Sequence, residues 1–487
     1  MTDTRYTYRH IVRLTVEAAT PLAVGTGKSC DILTDAPVAK DVNGLPYIPA
    51  TSIAGVLRHA MGLTDDQTEG NPFGYISKSD DNDDSGHGSD IIFTDAVMVG
   101  KNGKALDGIQ DIDWNDEFYR YFQDLPVRQH VRIDHKGTAE NNGKFDNEVV
   151  YKGTRFVFEI ELMSEKDDKE HIEKAIGHLR YSTLRIGGGT RKGYGKLSIV
   201  DCRQASLNLS KPEHLEKYLN KSSSLAEDWD GFTKIPVIES LDYSKWTHYQ
   251  LKLKPLDFFM FGSGMGDSDA DNVYVSELIV SWGSDDKPYI DKDKECKPQK
   301  RVLIPGSSVK GAIAHRTAYH YNKIKGNFAE NDSFYDKDSG ARLKEQFVDL
   351  NGKTYYVDAK GKRLREGGVR TINGKEYTFT GGVDDVIKGQ AEPKSKSFFH
   401  NKIDQFTGGT MDGALFQEKV IYDKDTEYTF DIYVENSALA DDDIKKAFVQ
   451  SLRDICAGLL PLGGITNRGN GIFTGTATEN DEPLWTE

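Results

Sequence analysis

Two glycine-rich segments carry basic side chains, a combination that is typical of a phosphate-binding site. Residues 187–195 read GGGTRKGYG and residues 463–471 read GGITNRGNG. Glycine lets a backbone approach its ligand closely, and Arg191, Lys192 and Arg468 supply cations suited to a phosphodiester backbone. A predicted helix precedes each segment and a strand follows, which is the reverse of a dinucleotide fingerprint or P-loop. We therefore predict contact with a nucleic-acid backbone, with a plain glycine turn as the alternative.

The two segments belong to a duplication. They align without a gap at an offset of 276 residues, and two earlier blocks match in the same order, 47–59 with 303–315 and 133–150 with 403–420. The repeat, about 200 residues long, exceeds the period of a solenoid unit, so each copy should have its own core. We predict a first domain over residues 1–205, a linker over 206–244 and a second domain over 245–487.

Each copy has the same predicted order of elements, namely strand, helix, strands, helix and strand. In the first copy, strands are predicted over 11–16, 91–99, 156–162 and 196–200, and Ser52 is predicted to cap the first helix. In the second copy, Ser307 or Ser308 is the predicted cap, and Asp441, Asp442 and Asp443 favour a later helix N-terminus. This order predicts an α+β fold of two tandem ferredoxin-like (RRM-like) domains. The insertions at 63–126 and 321–394 are interpreted as loops or small subdomains.

The composition is that of a water-soluble chain whose acidic residues are unevenly distributed. Net charge is −15, hydrophobic content is 37% and charged content is 29%. No apolar stretch approaches membrane-spanning length and the start is polar, so a cytoplasmic protein is expected. The net charge argues against nucleic acid, but a local basic groove can coexist with it. The repeated motifs carry Lys28, Arg58, Arg185, Arg191, Lys192 and Lys196 in the first copy, and Lys310, His315, Arg316 and Arg468 in the second.

Metal and protease signatures are weak. Cys30, Cys202, Cys296 and Cys456 stand apart from one another, which predicts reduced structural thiols and no zinc site. Residues 267–271, DSDAD, have the spacing of a calcium loop but lack its sixth-position glycine and distal glutamate. No Ser-His-Asp order, HExxH or nucleotide-binding loop supports a protease, metalloprotease or ATPase.

The repeated blocks resemble a known family. The glycine-rich loop before a final strand, the PYIPATSIAGVLR and LIPGSSVKGAI helices, and the IDHKGTAENNGKF and IDQFTGGTMDGALF hairpins are similar to the repeat-associated mysterious protein (RAMP) superfamily, specifically the backbone subunit of type III CRISPR effector complexes. The chain looks like a fusion of two such subunits. The resemblance implies a palm that grips guide RNA, a hairpin thumb that kinks the guide–target duplex, and a loop aspartate that cuts target RNA.

The resemblance also assigns catalytic and thumb residues. Residues 34–49, TDAPVAKDVNGLPYIP, match the family's catalytic loop, and Asp35 falls on the aspartate that cuts, with Asp31 a distant second. The second copy departs from this pattern, because Glu277 sits nearest the position of Asp35 while Asp267, Asp269 and Asp271 lie upstream. Either an upstream aspartate of the second copy cuts or this copy only binds. For the first copy, the alternative is that its loop aspartates are solvated carboxylates. The expected thumbs carry Ile133, Asp134 and Phe145, and Ile403, Asp404 and Phe416, with plain surface hairpins as the alternative.

RNA contacts follow from the same resemblance. Lys310 matches the family's backbone-contacting lysine, whereas the first copy has Ala54 there, so Lys28 and Arg58 are expected to compensate. Ser52 and Ser308 are expected to reach phosphates from helix N-termini. The other expected contacts are Arg191, Lys192, Arg316 and Arg468.

The expected function is that of an RNA-guided endoribonuclease subunit that acts with a divalent cation, Mg²⁺ or Mn²⁺. Attack by a ribose 2′-hydroxyl needs an in-line geometry that a regular A-form duplex does not offer, so a displaced nucleotide would favour cleavage. Guide RNA, target RNA and other subunits of the complex are the expected partners. The alternatives are a non-catalytic scaffold of the same complex and a guide-processing nuclease that depends on His59 or His315, positions where a structural histidine is more common.

Overall fold

The computed structural model describes residues 6–27, 34–63, 71–77, 85–133, 139–283, 299–326, 346–350, 353–357, 370–372, 375–377, 381–388, 393–401, 403–404, 406–407, 409–411, 413 and 415–485. It is a mixed α+β structure, rich in sheet, with few helices in its described part. Among the described residues, no helix is long and apolar enough to cross a membrane.

The first half of the chain is built on an antiparallel sheet. Its strands and helices, in chain order, are β1 (Tyr8–Ala18), α1 (Ala50–Ala60), β2 (Ile91–Phe93), β3 (Val97–Met98), β4 (Val127–Ile133), β5 (Ala139–Glu148), β6 (Arg155–Ser164), α2 (Glu170–Leu179) and β7 (Leu197–Asn208). The sheet order is β7, β1, β6, β2, with β3 also paired to β6. Strands β4 and β5 form a separate antiparallel hairpin.

The second half repeats this plan. Its main elements are β8 (Trp246–Pro255), β9 (Ser276–Ile279), β10 (Gln299–Ile304), α3 (Gly306–Ile324), β11 (Gly381–Val383), β12 (Val386–Lys388), β13 (Ser395–His400), β14 (Phe416–Tyr422), β15 (Tyr428–Glu435), α4 (Asp442–Cys456) and β16 (Phe473–Glu479). The sheet order is β16, β8, β15, β11, all antiparallel. Strands β13 and β14 pair as β4 and β5 do.

The remaining elements are short. They are the helices Arg120–Gln123 and Pro212–Leu219, the 3₁₀ turns Thr190–Lys192, Asn436–Leu439 and Thr466–Arg468, and the strands Tyr75–Ser77, Ser85–His87, Thr233–Lys234, Phe258–Phe259, Asn272–Val273, Gln346–Leu350, Lys353–Val357, Arg370–Ile372, Lys375–Tyr377 and Glu482–Pro483.

Alternating apolar residues and helical stripes explain the two cores. Phe156, Phe158 and Ile160 on β6 are fully buried against α2, whose Ile172 and Ala175 are also fully buried, as the sequence predicts. An equivalent layer fills the second half with Phe430, Ile432, Phe448, Leu452 and Ile455. Asp441 accepts backbone hydrogen bonds from Asp443 and Ile444, which confirms the predicted acidic start of α4. Cys202 and Cys456 are buried, and burial raises the pKa of these thiols to about 12 and about 11.

The predicted serine caps of the first helices are wrong. Helix α1 begins at Ala50 after Pro49 and α3 begins at Gly306 after Pro305, and neither proline position has a side-chain cap. Instead, aspartates from distant turns accept the first N–H groups: Asp95 accepts from Ala50 at 2.7 Å, and Asp385 accepts from Gly306 at 2.6 Å. The strand predicted over 91–99 is accordingly interrupted at Thr94 and Asp95. Proline fixes the backbone at each helix start, while a carboxylate from the turn after an edge strand accepts from the free donor.

The two halves are joined by buried ion pairs. Arg128 on β4 donates to Glu277 on β9 at 2.7 Å and to Asp385 at 2.5 Å, and all three side chains are at least nine-tenths buried. Next to them, Arg185 donates to Asp384 at 2.6 Å. Close backbone approach accompanies these pairs, since a Cβ on Gly193 would lie 2.3 Å from the carbonyl oxygen of Val383. The edge of the second sheet therefore packs directly on the glycine loop of the first half.

Candidate nucleic-acid interface

The loop that carries Asp35 is fixed to the returning strand of the hairpin. The backbone N–H of Asp35 donates to Asp146 Oδ1 at 2.9 Å, and the backbone N–H of Asp146 donates to Asp35 Oδ2 at 3.1 Å. Thr34 Oγ1 also donates to Asp146 at 3.0 Å, and these donors, led by the Asp35 N–H, hold the pKa of Asp146 below its ordinary value. Asp35 itself is exposed. The reciprocal pair holds an accessible carboxylate at the base of the hairpin.

The second half contains one of these two contacts, at Asp271. Asp271 Oδ2 accepts the backbone N–H of Gln417 at 2.8 Å, and Asp271 is exposed. Its place in the chain is also equivalent, because Asp35 lies three residues before the bridge between Gly25 and Val38, and Asp271 lies three residues before the bridge between Gly262 and Tyr274. The structure therefore distinguishes Asp271 from the other acidic residues of its loop.

The neighbouring acids have other partners. Asp267 accepts the backbone N–H groups of Asp269 and Ala270, both at 2.8 Å. Lys419 Nζ lies 3.2 Å from the carboxylate of Asp267 and 3.6 Å from that of Asp269. Both carboxylates therefore lie beside the same lysine, whose single positive charge they share.

The alignment that sets Glu277 nearest the position of Asp35 is wrong. Glu277 is 5% exposed and paired with Arg128, and burial raises its pKa above the ordinary value despite that cation. It lies six residues after Asp271, beyond the bridge at Tyr274. Its environment is that of a structural ion pair between the halves.

Each hairpin places an aromatic ring between a histidine and a cation from the glycine loop. Phe145 stacks on His130 with ring centroids 5.0 Å apart, and Lys192 Nζ lies 4.2 Å from the Phe145 centroid. Burial, together with Lys192 and Arg128, lowers the pKa of His130 to about 4, and Tyr194 Oη lies 3.1 Å from its Nε2. Two consecutive hairpin residues therefore contact the two loops: Phe145 contacts the glycine loop, and Asp146 contacts the loop that carries Asp35.

The second half has the same contact between a phenylalanine, a histidine and a cation, with arginine in place of lysine. Phe416 and His400 have ring centroids 5.2 Å apart, and the guanidinium of Arg468 lies 5.1 Å from the Phe416 ring. Arg468 also donates to Glu418 at 2.8 Å. Lys192 and Arg468 occupy equivalent positions of the two glycine loops, so a cation over the hairpin phenylalanine is common to both copies.

Both hairpins expose apolar side chains towards their ends. Val131 and Ile133 of the first are 48% and 42% exposed. In the second, Ile403 and Leu415 are 62% and 65% exposed and Phe406 is 95% exposed. Asp404 accepts the N–H groups of Phe406 and Thr407, and the hydrogen bonding by Thr407 lowers its pKa. Exposed apolar groups on a narrow hairpin are costly in water and suit insertion against stacked bases.

The predicted basic contacts have different environments. Lys310 Nζ donates to the carbonyl oxygen of Arg191 at 3.1 Å, so the first helix of the second half reaches the glycine loop of the first. Burial, followed by the charge of Arg191, lowers the pKa of Lys310 to about 8. Arg316 donates to Asp454 at 2.5 Å and is therefore committed within its own half. Arg58 donates to the Gly74 carbonyl at 3.3 Å.

The two predicted phosphate-contacting serines lie inside their helices. Ser52 is half-buried in the first turn of α1, and Ser308 is exposed in the first turn of α3. Lys28, Asp31 and Asp134 lie outside the described residues.

Several residues of this arrangement were not predicted. Asp146, Gln417 and His130 take part in it, and Asp95 and Asp385 hold the first helices in place. A signal existed for the histidines, because His130 and His400 both lie three residues before the paired ID sequences at 133 and 403. The backbone N–H of Gln417 has no signal in the sequence, because any residue other than proline provides one.

The described residues contain no group of three or more His, Cys, Asp or Glu side chains that could hold a metal ion. Asp35 and Asp146 do offer two adjacent carboxylates, whereas Asp271 is paired with the backbone of a glutamine. A site of this kind could hold a divalent cation only with help from water or from a ligand's phosphates.

Comparison with known proteins gives the family. The model of the RAMP superfamily matches residues 15–198 and 260–474, which together make up most of the chain. The chain therefore belongs to the RAMP superfamily, with two RAMP regions in tandem. It is accordingly a CRISPR-associated RAMP protein. A search of curated proteins found no match.

Proposed function

We propose that the chain is a backbone subunit of a type III CRISPR effector complex that binds guide RNA and cleaves complementary target RNA at two sites, Asp35 and Asp271. One observation carries this proposal. In each half an exposed loop aspartate accepts the backbone N–H that follows a hairpin phenylalanine, and that phenylalanine lies beneath a cation of the glycine loop. The equivalence of Asp271 to Asp35 favours two cutting sites over a second half that only binds.

The fold assignment is part of this proposal. In the first half, β1 lies between β6 and β7, and β2 lies beyond β6. In the second half, β8 lies between β15 and β16, and β11 lies beyond β15. Counted in chain order among the four sheet strands of each half, the first therefore lies between the third and fourth, and all neighbours are antiparallel. This is the strand order of a ferredoxin-like domain, with helices following the first and third strands. We assign the domains to residues 1–205 and 245–487 with a linker at 206–244. The hairpins β4–β5 and β13–β14 are the proposed thumbs, supported by their exposed apolar ends.

The proposed chemistry is a transesterification. The ribose 2′-oxygen attacks the adjacent phosphorus, the bond from phosphorus to the 5′-oxygen breaks, and the products are a 2′,3′-cyclic phosphate and a 5′-hydroxyl. The hairpin would displace a nucleotide so that the attacking and leaving oxygens lie in line. An ordinary aspartate is a weak base at neutral pH, so Asp35 and Asp271 are assigned to orient the 2′-hydroxyl or a metal-bound water.

A divalent cation is part of the proposal, and the carboxylates present are ligands of the kind that Mg²⁺ or Mn²⁺ takes. Mg²⁺ commonly takes one or two carboxylates together with waters and substrate phosphates. Asp35 with Asp146 would provide such carboxylates in the first half, and Asp271 would provide one in the second. When bound, the cation would stabilise negative charge on the phosphate.

Cleavage of an end-labelled target RNA by the assembled complex with Mg²⁺ tests the proposal. Asp35→Asn retains an oxygen that can accept the Asp146 N–H, so it removes the charge with little change to the loop. Loss of one product band in this variant supports cleavage at Asp35. Survival of every band, with guide RNA still bound, would instead make the chain a scaffold whose partner subunits cut.

A further inference from the structure

The acceptor side of the junction between the halves has an equivalent in the first half. At the junction, Glu277 on β9 and Asp385 both accept hydrogen bonds from Arg128, and Asp385 also accepts the first N–H of α3. In the first half, Asp95 accepts the first N–H of α1 in the same way, and Asp41 stands at the position of Glu277. The first half therefore carries its own pair of carboxylates.

Backbone pairing supports this equivalence. Strand β9 pairs with β10, with Glu277 directly after a paired residue, and β10 pairs with β12, with Asp385 directly before a paired residue. Asp41 directly follows, and Asp95 directly precedes, a residue of the two corresponding bridges in the first half. These bridges are Lys40–Pro46 and Ile48–Ala96. We call residues 40–48 and 91–96 the outer edge of the first half.

The outer edge lacks the cation that the junction has. Asp41 accepts two backbone N–H groups of its own turn, and Asp95 is exposed. Among the residues that the structure describes, no lysine, arginine or histidine forms an ion pair with either carboxylate, and the neighbouring Lys40 lies 3.9 Å from Glu148. An arginine from another chain would complete the arrangement with charge-assisted hydrogen bonds, as Arg128 does at the junction.

Exposed apolar side chains lie beside these carboxylates. Val42 is 77% exposed, whereas Leu278, at the equivalent position of the second half, packs against the core of the first half. Ile109 is 86% exposed, and the residues on either side of it are hydrogen-bonded to Asn43. Apolar groups next to charged groups are typical of a surface that binds another protein.

A second copy of this chain does not fit the outer edge. Docked as the two halves are, its second hairpin would supply Phe398 in place of Arg128, since each lies two residues before the stacked histidine. Two carboxylates would then be buried against a ring without a cation, which is costly. Ile92 also replaces Gly382, where even an added Cβ would lie 3.2 Å from the Thr190 carbonyl oxygen of the glycine loop.

We propose that the outer edge of the first half is a docking surface for a different protein chain, which supplies an arginine to Asp41 and Asp95 and apolar contacts to Val42 and Ile109. The chain then takes a single place in its assembly and does not stack on further copies of itself. This inference rests on the proposed function, because the partner is taken to be another subunit of the same complex.

Self-association of the purified chain tests the exclusion of a second copy. Sedimentation velocity should show a monomer for the wild type, whereas Phe398→Arg supplies the missing cation and should self-associate about tenfold more tightly. Phe399→Arg is the matched control, because its side chain is 67% exposed and lies on the opposite face of the strand, and it should remain monomeric. Oligomers of the wild type, or a Phe398→Arg variant that stays monomeric, would overturn the exclusion.

Subunit composition tests the docking surface. Native mass spectrometry of the purified complex should count one copy of this chain, and Val42→Glu, which adds a carboxylate beside Asp41, should release a neighbouring subunit. Ile238→Glu is the control on the linker, where the side chain is 80% exposed, and it should release none. A Val42→Glu complex that keeps every subunit and still cleaves target RNA would overturn the docking surface and leave the proposed function standing. A wild-type chain that purifies without other subunits and without RNA would contradict both.

Discussion

Asp271 Oδ2 accepts the backbone N–H of Gln417 at 2.8 Å, just as Asp35 Oδ2 accepts that of Asp146 at 3.1 Å. The two loops differ in sequence, yet in each the carboxylate accepts the backbone N–H of the residue that follows the hairpin phenylalanine. A backbone donor does not depend on the side chain that follows, so this geometry can persist while the loop sequence changes.

The buried junction should be essential to stability. Arg128→Ala would leave Glu277 and Asp385 buried without their cation, and the free energy of unfolding should fall by about 3–5 kcal/mol. Chemical denaturation measures this change. Arg203→Ala removes an arginine whose side chain is 39% exposed, and it should cost at most about 1 kcal/mol. Similar losses in the two variants would contradict the assigned role of the junction.

Close packing at the glycine loop gives a matched pair of glycine variants. Gly193 and Gly469 are equivalent, with φ of 95° and 85°, so alanine strains the backbone similarly at both, by about 1–3 kcal/mol. Only Gly193 also faces the Val383 carbonyl, 2.3 Å from an added Cβ, whereas Gly469 has nothing within 4 Å. Gly193→Ala should therefore lower the melting temperature clearly more than Gly469→Ala. An equal decrease would contradict the close contact between the halves.

Ile465 provides a test in the opposite direction. It has φ of 59°, a left-handed conformation that is rare for a β-branched residue, where the first half has Gly189. Ile465→Gly should stabilise the chain by up to about 1 kcal/mol, because it relieves this strain. Gly189→Ala should destabilise it, since a Cβ there would lie 2.4 Å from the Tyr194 ring. Thermal unfolding of both variants measures the contrast, and a destabilised Ile465→Gly would show that the apolar contacts of Ile465 outweigh the strain.

The stacked histidine makes stability depend on pH. The pKa of His130 is lowered to about 4, first by burial and then by Lys192 and Arg128. The unfolded chain takes up this proton near pH 6.5, so the native state should lose stability as the pH falls from about 6.5 towards 4. Nuclear magnetic resonance of the imidazole should show titration near pH 4, and denaturation of His130→Gln should show a weaker loss of stability over that range. Titration of His130 near 6.5 would contradict the buried, stacked environment.

The regular parts of the fold were predictable because local patterns determine them. Alternation in β6 and the apolar stripe of α2 predicted buried residues that the structure confirms, among them Phe158 and Ile172. The caps of α1 and α3 were not predictable, because Asp95 and Asp385 lie 45 and 79 residues from the N–H groups that they accept. The local sequence favours a serine cap near a helix start, but in this structure a distant carboxylate accepts the N–H group instead.

The candidate site was predictable only in part. Repetition predicted the glycine loops and hairpins, and the family resemblance predicted Asp35, whose catalytic role stays a prediction. The altered sequence of the second loop made Glu277 seem the nearest equivalent, whereas the isolated bridges at Val38 and Tyr274 align Asp35 with Asp271. The pairing between backbone segments shows which residues of the two loops are equivalent, and this pairing cannot be deduced from a loop whose sequence has changed.

Cleavage by single aspartate variants tests the central claim most directly. The assembled complex with guide RNA and Mg²⁺ is incubated with end-labelled target RNA, comparing Asp35→Asn, Asp271→Asn and, as a control from the same acidic loop, Asp269→Asn. The account predicts that Asp35→Asn and Asp271→Asn each remove a different product band and that Asp269→Asn removes none. It would be contradicted if Asp271→Asn left every band intact, or if Asp269→Asn abolished the band assigned to the second half.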